Sequence, residues 1–381
     1  MPRIRFVATT IASLVLSFVP FVLPGALAAT ISVNSIADVV ANDGQCTLRE
    51  AIIAANSNTA SGAAAGECAA GQGYPTIDVI AFNIPGAGVH TIVPTTTLPG
   101  ITEIVTIDGY TQPGSRTNSL AAGNDATLLI EIDVRNVPND PVLTLHCCNS
   151  GGSTVRGLVL SHFTGVGIQV GDDVGNGANG VTITGNFIGT NPAGTALSGG
   201  GTPISVVAST ATVIGGATPA LRNVIAGTAG GGGSMIVLDA SDGNTIQGNY
   251  IGVNAAGTAG LGGANGAIGL VLSSFNLIGG AAAGAGNVIA GYTAYGISLE
   301  GNGNRVQGNF IGTNATGTAG LAAGGYGIIA GASTGAQIGG GAAGAGNLIS
   351  GNGKSGIKVM FAPLSLLIQG NKIGTDLAGT G

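Results

Sequence analysis

GNFIGTN at Gly185–Asn191 returns as GNYIGVN at Gly248–Asn254, GNFIGTN at Gly308–Asn314 and GNKIGTD at Gly370–Asp376. A second phrase stands between the copies: VIGGATPALRNVIAG from Val213, LIGGAAAGAGNVIAG from Leu277 and QIGGGAAGAGNLISG from Gln337. A fixed internal period is the signature of a solenoid, and it outranks every other cue in the chain. Aligning the copies gives three series of apolar positions. The first holds Ile168, Ile204, Ile236, Ile268, Ile297, Ile328 and Ile357. The second holds Ile183, Ile214, Ile246, Ile278, Val306, Ile338 and Ile368, and the third Ile188, Ile225, Ile251, Ile289, Ile311, Ile349 and Ile373. Each residue sits in a short β-branched run, so every pass of about thirty residues carries three strands. Glycine interrupts every run before it reaches helical length, which excludes a helical repeat. The pattern predicts a right-handed parallel β-helix, with like strands stacked ~4.8 Å apart.

The loops alternate in length. The step from second to third series is 5 residues in GNFIG rungs and 11 in IGG rungs, and the following step to the first series compensates. One asparagine precedes each third-series residue by two: Asn186, Asn223, Asn249, Asn287, Asn309, Asn347 and Asn371. At rung spacing, such side chains hydrogen-bond from turn to turn as a structural ladder.

The rest of the composition fits a solenoid. Glycine supplies 72 of 381 residues, charged residues 7%, and tryptophan is absent. Residues 30–164 carry 4 basic and 11 acidic groups, and residues 165–381 carry 5 and 6. Neither part has the basic patch that a nucleic-acid partner requires. The Met1–Ala29 segment reads as a secretory signal: Arg3 and Arg5, an apolar core, then Ala26-Leu27-Ala28 as a small-x-small cleavage site. Beyond it no apolar run is long enough to span a bilayer. The protein is therefore expected outside the cytoplasm, extracellular or at the cell surface.

Residues 30–160 are expected to form an N-terminal cap and irregular first rungs, continuous with the regular repeats of 161–381. Thr47-Leu48-Arg49-Glu50 is a capping box, with Thr47 bonding the Glu50 amide and Glu50 reaching back. Leu48, Ala51, Ile52 and Ala55 then share one helical face, suited to covering the open end of a β-helix.

These residues carry a resemblance. CTLREAI at Cys46–Ile52, AFNIPGAGVHTI at Ala81–Ile92 and TIDGYTQPG at Thr106–Gly114, together with the alternating repeat phrases, are similar to the CSLREA-domain family of exported bacterial β-helix proteins. Thr47 stands where the family has Ser, which keeps the N-cap chemistry. The resemblance implies a pectin-lyase-like fold, export and a surface or extracellular setting; it implies no particular activity.

Four cysteines remain to be placed. Cys46 with Cys68 is expected to tie the cap helix to the glycine-rich loop behind it, as export permits. Cys147 and Cys148 are adjacent, so in an extended strand they point to opposite faces, one of them buried as a small hydrophobe; a vicinal disulfide or a metal role is the less favoured alternative, since no ligand-spaced His or Cys set accompanies them.

Candidate chemistry is sparse. Asp239 and Glu300 occupy equivalent positions two rungs apart, roughly 10 Å, near the carboxyl spacing of inverting glycosidases. Val271 lies between them and no basic partner accompanies them. Asp172, Asp173, Asn176 and Asn179, in the insertion GDDVGNGANG, offer hard oxygen ligands for Ca²⁺. Phe187, Tyr250 and Phe310 recur on every second rung, either as a stacking platform for a sugar polymer or as packing beneath the long loops of the same rungs. His90, His146 and His162 read as ordinary strand residues. The reading these features favour is an exported, non-catalytic scaffold that is adhesive or binds glycans. The alternatives are a polysaccharide lyase or glycoside hydrolase on the same fold, signalled by an Asp/Arg cluster on the early rungs, and a structural repeat spacer. The chain stops after IGTDLAGTG, a phrase that elsewhere leads into another rung, so self-association through an uncapped last rung is also expected.

Overall fold

The computed structural model describes residues 28–147, 149–172, 174–227, 233–321, 323–361 and 364–380. The proposed signal segment thus lies almost wholly outside the described residues. Within them the chain winds as a right-handed parallel β-helix with three all-parallel sheets. The second-series sheet has eleven strands, from Thr30–Val33 to Leu367–Gln369, and the third-series sheet ten, from His90–Ile92 to Lys372–Ile373. The first-series sheet has eight, from Leu143–Leu145 to Ile357–Val359.

The register follows the repeat. Ile168 pairs with Ile204, Ile204 with Ile236, Ile236 with Ile268, Ile268 with Ile297, Ile297 with Ile328 and Ile328 with Ile357. The other two series stack in the same way, as in Ile183 on Ile214 and Ile188 on Ile225. These side chains fill the lumen, nearly all at 0–1% exposure until the last rung. Because strand side chains alternate in facing, a slip of one residue would turn each isoleucine to solvent, so the register is strongly fixed.

The asparagines are buried beside this core and bond in sequence. Asn186 Nδ2 donates to Asn223 Oδ1 at 3.2 Å, Asn223 to Asn249 at 2.8 Å, Asn249 to Asn287 at 3.0 Å and Asn287 to Asn309 at 2.9 Å. The series continues through Asn347 to Asn371. Each Nδ2 also reaches a main-chain carbonyl of the rung before, such as Asn287 to Ile246 O at 2.8 Å. Two shorter ladders were not anticipated. Asn244, Asn276 and Asn304 bond in succession at the turn into the second-series sheet. Alongside them, the Ser209 and Ser241 amides donate to the Ser241 and Ser273 hydroxyls.

The helix Leu48–Ser57 packs on Thr30–Val33 and Asp78–Phe82 with Leu48, Ala51, Ile52, Ala54 and Ala55 buried. Its capping box is formed: the Glu50 amide donates to Thr47 Oγ1 at 3.2 Å, and the Thr47 amide to Glu50 Oε2 at 3.0 Å. Cys46 and Cys68 form a buried disulfide behind it. Cys147 departs from the sequence reading. It is half-buried, lies at φ +51° rather than in an extended strand, and is disulfide-bonded. Cys148 lies outside the described residues.

The main irregularity is a strap, residues 109–129, between the second- and third-series strands of an early rung. It runs along the outside of the third-series sheet as far as Tyr250, four rungs on from Ile130, or roughly 19 Å. Arg222 holds it: Nη1 donates to Leu120 O at 2.9 Å and to Gly123 O, and Nη2 to Ala121 O at 2.9 Å. The guanidinium lies 4.6 Å from the Tyr250 ring centroid, and the Gly123 amide donates to the Tyr250 hydroxyl at 2.7 Å.

Candidate functional site

The aromatic row at Phe187, Tyr250 and Phe310 points out of the lumen yet is covered. Phe187 and Tyr250 are 2% and 3% exposed, and Phe310 is half-buried, in a second apolar cluster with Leu128, Val224 and Val288. Each long loop folds back over the ring of its own rung. Gly194, Gly257 and Gly317 lie at φ +65°, +69° and +66°, where an added Cβ would meet the ring at 3.0, 2.9 and 3.0 Å. Only glycine allows both that backbone and that approach. The row is therefore packing for the loops and, for Tyr250, for the strap; it presents no open stacking surface.

The other sequence candidates do not assemble. Asp239 is half-buried in a shallow groove with Asp172, Val207 and Ala240, while Glu300 is exposed beyond the strand end at Leu299. Val271, in register with Asp239, stands between them at 41% exposure. No basic side chain forms a salt bridge with either among the described residues. In the proposed calcium loop, Asp172 spends its carboxylate on its own turn. Oδ1 accepts the Val174 and Asn176 amides at 3.1 and 2.8 Å, and Oδ2 accepts Asn176 Nδ2 at 2.9 Å. These hydrogen bonds hold the Asp172 carboxyl below its ordinary range. Asn179 instead binds across rungs to the Thr210 amide at 2.8 Å, and Asp173 lies outside the described residues. Among the described residues of the loop, Asp172 and Asn176 bond to one another and Asn179 bonds across to Thr210, with His146 Nδ1 3.9 Å from Asp172 Oδ2.

The outer face of the first-series sheet carries what sequence reading passed over. Ser234, Gly266, Tyr295 and Tyr326 stand in register on four consecutive rungs. Their side chains face outward: the Tyr295 hydroxyl lies 3.0 Å from Ser234 Oγ, and a Cβ on Gly266 would come within 2.1 Å of the Tyr295 ring. Gly296 and Gly327, the next residues, point inward toward Ile311 and Ile349. Both tyrosines are half-buried, so part of each ring meets solvent. Their backbones are one rung apart, ~4.8 Å. The next rung adds Lys354 and Lys358, whose Nζ atoms lie 5.0 and 4.6 Å from the Tyr326 centroid. The chain has three lysines, and two of them converge on this ring. The signal was available as the paired AYGI and GYGI phrases, but their tyrosines precede the alternating run and gave no facing.

A second polar group occupies the outer face of the third-series sheet on the early rungs. Asp133 is fully buried and accepts from Arg135 Nε at 2.8 Å and the Arg135 amide at 3.0 Å, with His162 Nδ1 at 3.0 Å from its Oδ1. Burial acts to raise the Asp133 carboxyl, but the Arg135 hydrogen bonds and the neighbouring His162 leave it below its ordinary range. Glu131, two residues back on the same face, accepts from Thr91 Oγ1 and Ser161 Oγ, each at 2.8 Å. His162 is thus no ordinary strand residue: it lies at φ +58° just past the strand Leu158–Ser161.

No family model matches this chain, and neither does any curated protein. Among solved structures it is similar to the periplasmic alginate epimerase AlgG at 14% identity and a TM-score of 0.40, over 78% of this chain and 59% of that one. It is also similar to the A-module of the Azotobacter vinelandii mannuronan C-5 epimerase AlgE4, at 12% identity and a TM-score of 0.37, over 78% and 81%. Geobacillus virus E2 ORF18 is a third, at 10% identity and a TM-score of 0.28, over 78% and 53%. The chain thus matches less than two thirds of the length of AlgG. Among the described residues no helix is long and apolar enough to cross a membrane.

Proposed function

We propose that this protein is an exported β-helix scaffold, of the CSLREA-domain kind, that binds an acidic polysaccharide along the outer face of its first-series sheet. The observation that carries this reading is the in-register pair Tyr295–Tyr326 with Lys354 and Lys358 beside it. Aromatic faces take up the apolar C–H surface of sugar rings, and ammonium groups beside them favour a carboxylated or sulfated polymer. A solenoid suits such a ligand because identical rungs give a long, straight surface. Export is supported by the signal-like N-terminus and by the buried Cys46–Cys68 disulfide, a bond that persists in oxidising compartments.

The test is incubation of the mature protein with a panel of neutral and acidic polysaccharides, with and without Ca²⁺. It follows depletion of protein from solution together with new reducing ends and unsaturated products. Depletion by polyuronates, weakened by salt and reduced about tenfold (~1.4 kcal/mol) in Tyr326→Ala, is the expected result. Equal retention of wild type and Tyr326→Ala, or of neutral and acidic polymers, removes this face as the binding site. Product formation replaces the scaffold reading with that of a polysaccharide-degrading enzyme.

A further inference from the structure

We propose that Ser198, His162 and Asp133 form a nucleophile–base–orienter set that hydrolyses carboxylic esters, with O-acyl groups on polysaccharides as the substrate class. The three residues are distant in sequence and meet on the outer face of the third-series sheet. His162 Nδ1 lies 3.0 Å from Asp133 Oδ1, and His162 Nε2 lies 3.5 Å from Ser198 Oγ. This is the order of contacts that serine acyl-transfer chemistry requires: a hydroxyl facing one ring nitrogen and a carboxylate facing the other. The Ser198 contact is long, as such contacts often are before substrate binds.

The surroundings settle the tautomer. The Asp133 side chain is fully buried, and the paired Arg135 holds it as an acceptor. Ser161 Oγ, 3.3 Å from the same Nδ1, donates its own hydrogen to Glu131 Oε1 at 2.8 Å and so presents a lone pair to the ring. Both groups facing Nδ1 are therefore acceptors, which places the proton on Nδ1 and leaves the Nε2 lone pair toward Ser198. His162 takes a left-handed φ of +58°, a turn conformation that histidine tolerates better than most residues and that other turns of this chain share. Its amide donates to the Ser198 carbonyl and the Ser198 amide to Gly189 O at 2.9 Å, so the hydroxyl is held against the ring by the main chain on both sides. The imidazole side chain is 43% exposed and Ser198 is half-buried, so an ester displayed on a polymer reaches both.

In the reaction, Ser198 Oγ attacks the ester carbonyl carbon while Nε2 takes the hydroxyl proton. Collapse of the tetrahedral intermediate breaks the bond to the alkoxy oxygen, which leaves as the alcohol with the proton from Nε2. Water, deprotonated by Nε2, then attacks the acyl carbon; the bond to Ser198 Oγ breaks, Oγ takes the proton back from Nε2, and the carboxylic acid leaves. Water is the only co-reactant, and no oxidant or reductant is needed.

The test treats the full mature chain with a fluorophosphonate probe and measures acetate release from p-nitrophenyl acetate. The expected result is stoichiometric labelling of Ser198, mapped by peptide mass, and turnover at least a hundredfold lower in Ser198→Ala. That substitution removes one half-buried hydroxyl, and circular dichroism checks that the fold is kept. His162→Gln is expected to lose both labelling and turnover. No labelling, labelling at another residue, or turnover unchanged in Ser198→Ala overturns the assignment. Both probes are small soluble esters or ester mimics, so this outcome is independent of whether the Tyr295–Tyr326 face binds a polymer.

Discussion

Removing the Arg222 side chain should release the strap without unwinding the solenoid. Arg222 is 5% exposed and contacts four carbonyls, those of Leu120, Ala121, Gly123 and Gly248, the last from Nε at 3.2 Å. It also stacks on Tyr250. A charged donor contributes ~1.5–3 kcal/mol per hydrogen bond, but such bonds are not additive, and truncating one partner of a buried network typically costs ~3–5 kcal/mol. The strap carbonyls can recover water once the segment lifts, so the low end applies, about 3 kcal/mol. At 1.4 kcal/mol per tenfold, the open population of the strap should rise roughly a hundredfold in Arg222→Ala. Two readouts follow this directly: hydrogen exchange of residues 117–125, and tryptic cleavage after Arg116, whose side chain is 65% exposed at the base of the strap. Arg222→Met, which keeps most of the side-chain volume, separates lost bonding from lost packing and should open the strap nearly as far. Tyr250→Phe, which removes only the acceptor for the Gly123 amide, should raise exchange by a smaller factor, ~1 kcal/mol. The global melting temperature should move much less than the local exchange, because the strap adds no strand to the three sheets. Exchange within threefold of wild type in Arg222→Ala, or strap opening only as part of global unfolding, would refute the clamp.

Three further outcomes are expected. Asn287→Ala should destabilise the fold by about 1–3 kcal/mol in guanidinium titration, since the buried Asn249 amide loses its acceptor, Asn287 Oδ1 at 3.0 Å, while Asn249 Nδ2 keeps the Ile214 and Gln247 carbonyls; a loss below ~0.5 kcal/mol would mean the ladder is incidental. Reduction of Cys46–Cys68, which closes a loop with a sequence separation of 22, should lower stability by about 3 kcal/mol on the loop-entropy estimate, read as a drop in melting temperature with and without reductant. Acid should weaken the early rungs through Asp38 and Asp133. Burial acts to raise both carboxyls, but Arg49 and Thr95 at Asp38, and Arg135 and His162 at Asp133, leave both folded values below the ordinary range. Their stabilisation is full above the unfolded value, about 3.9, and is lost as pH falls through the lower folded values. Asp38→Asn and Asp133→Asn should therefore flatten the acid limb of a pH–stability profile. Asp78, raised chiefly by burial, acts with the opposite sign just above its unfolded value.

The amino-acid sequence by itself determined the winding. The three isoleucine series are spaced by the repeat, and burial on one side leaves each a single register, so Ile204 on Ile236 could be read before any coordinates. The seven ladder asparagines and the Thr47–Glu50 box were legible for the same reason, because both are set by local spacing. The tertiary structure decided which outward side chains are covered. The period left the row of Phe187, Tyr250 and Phe310 between a platform and packing beneath its own loops, with packing favoured, and it carries no information about the strap from four rungs away that, held by Arg222, also lies across Tyr250. The tertiary structure also decided which polar residues meet. Asp133 and His162 lie on early rungs outside the regular phrases and Ser198 in the first of the recurring long loops, so only the stacking of rungs, the left-handed turn at His162 and the return of that loop bring them together. A repeat fixes what recurs; contacts between side chains that do not recur, such as His162 with Asp133 and Ser198, depend on backbone paths that the period does not constrain.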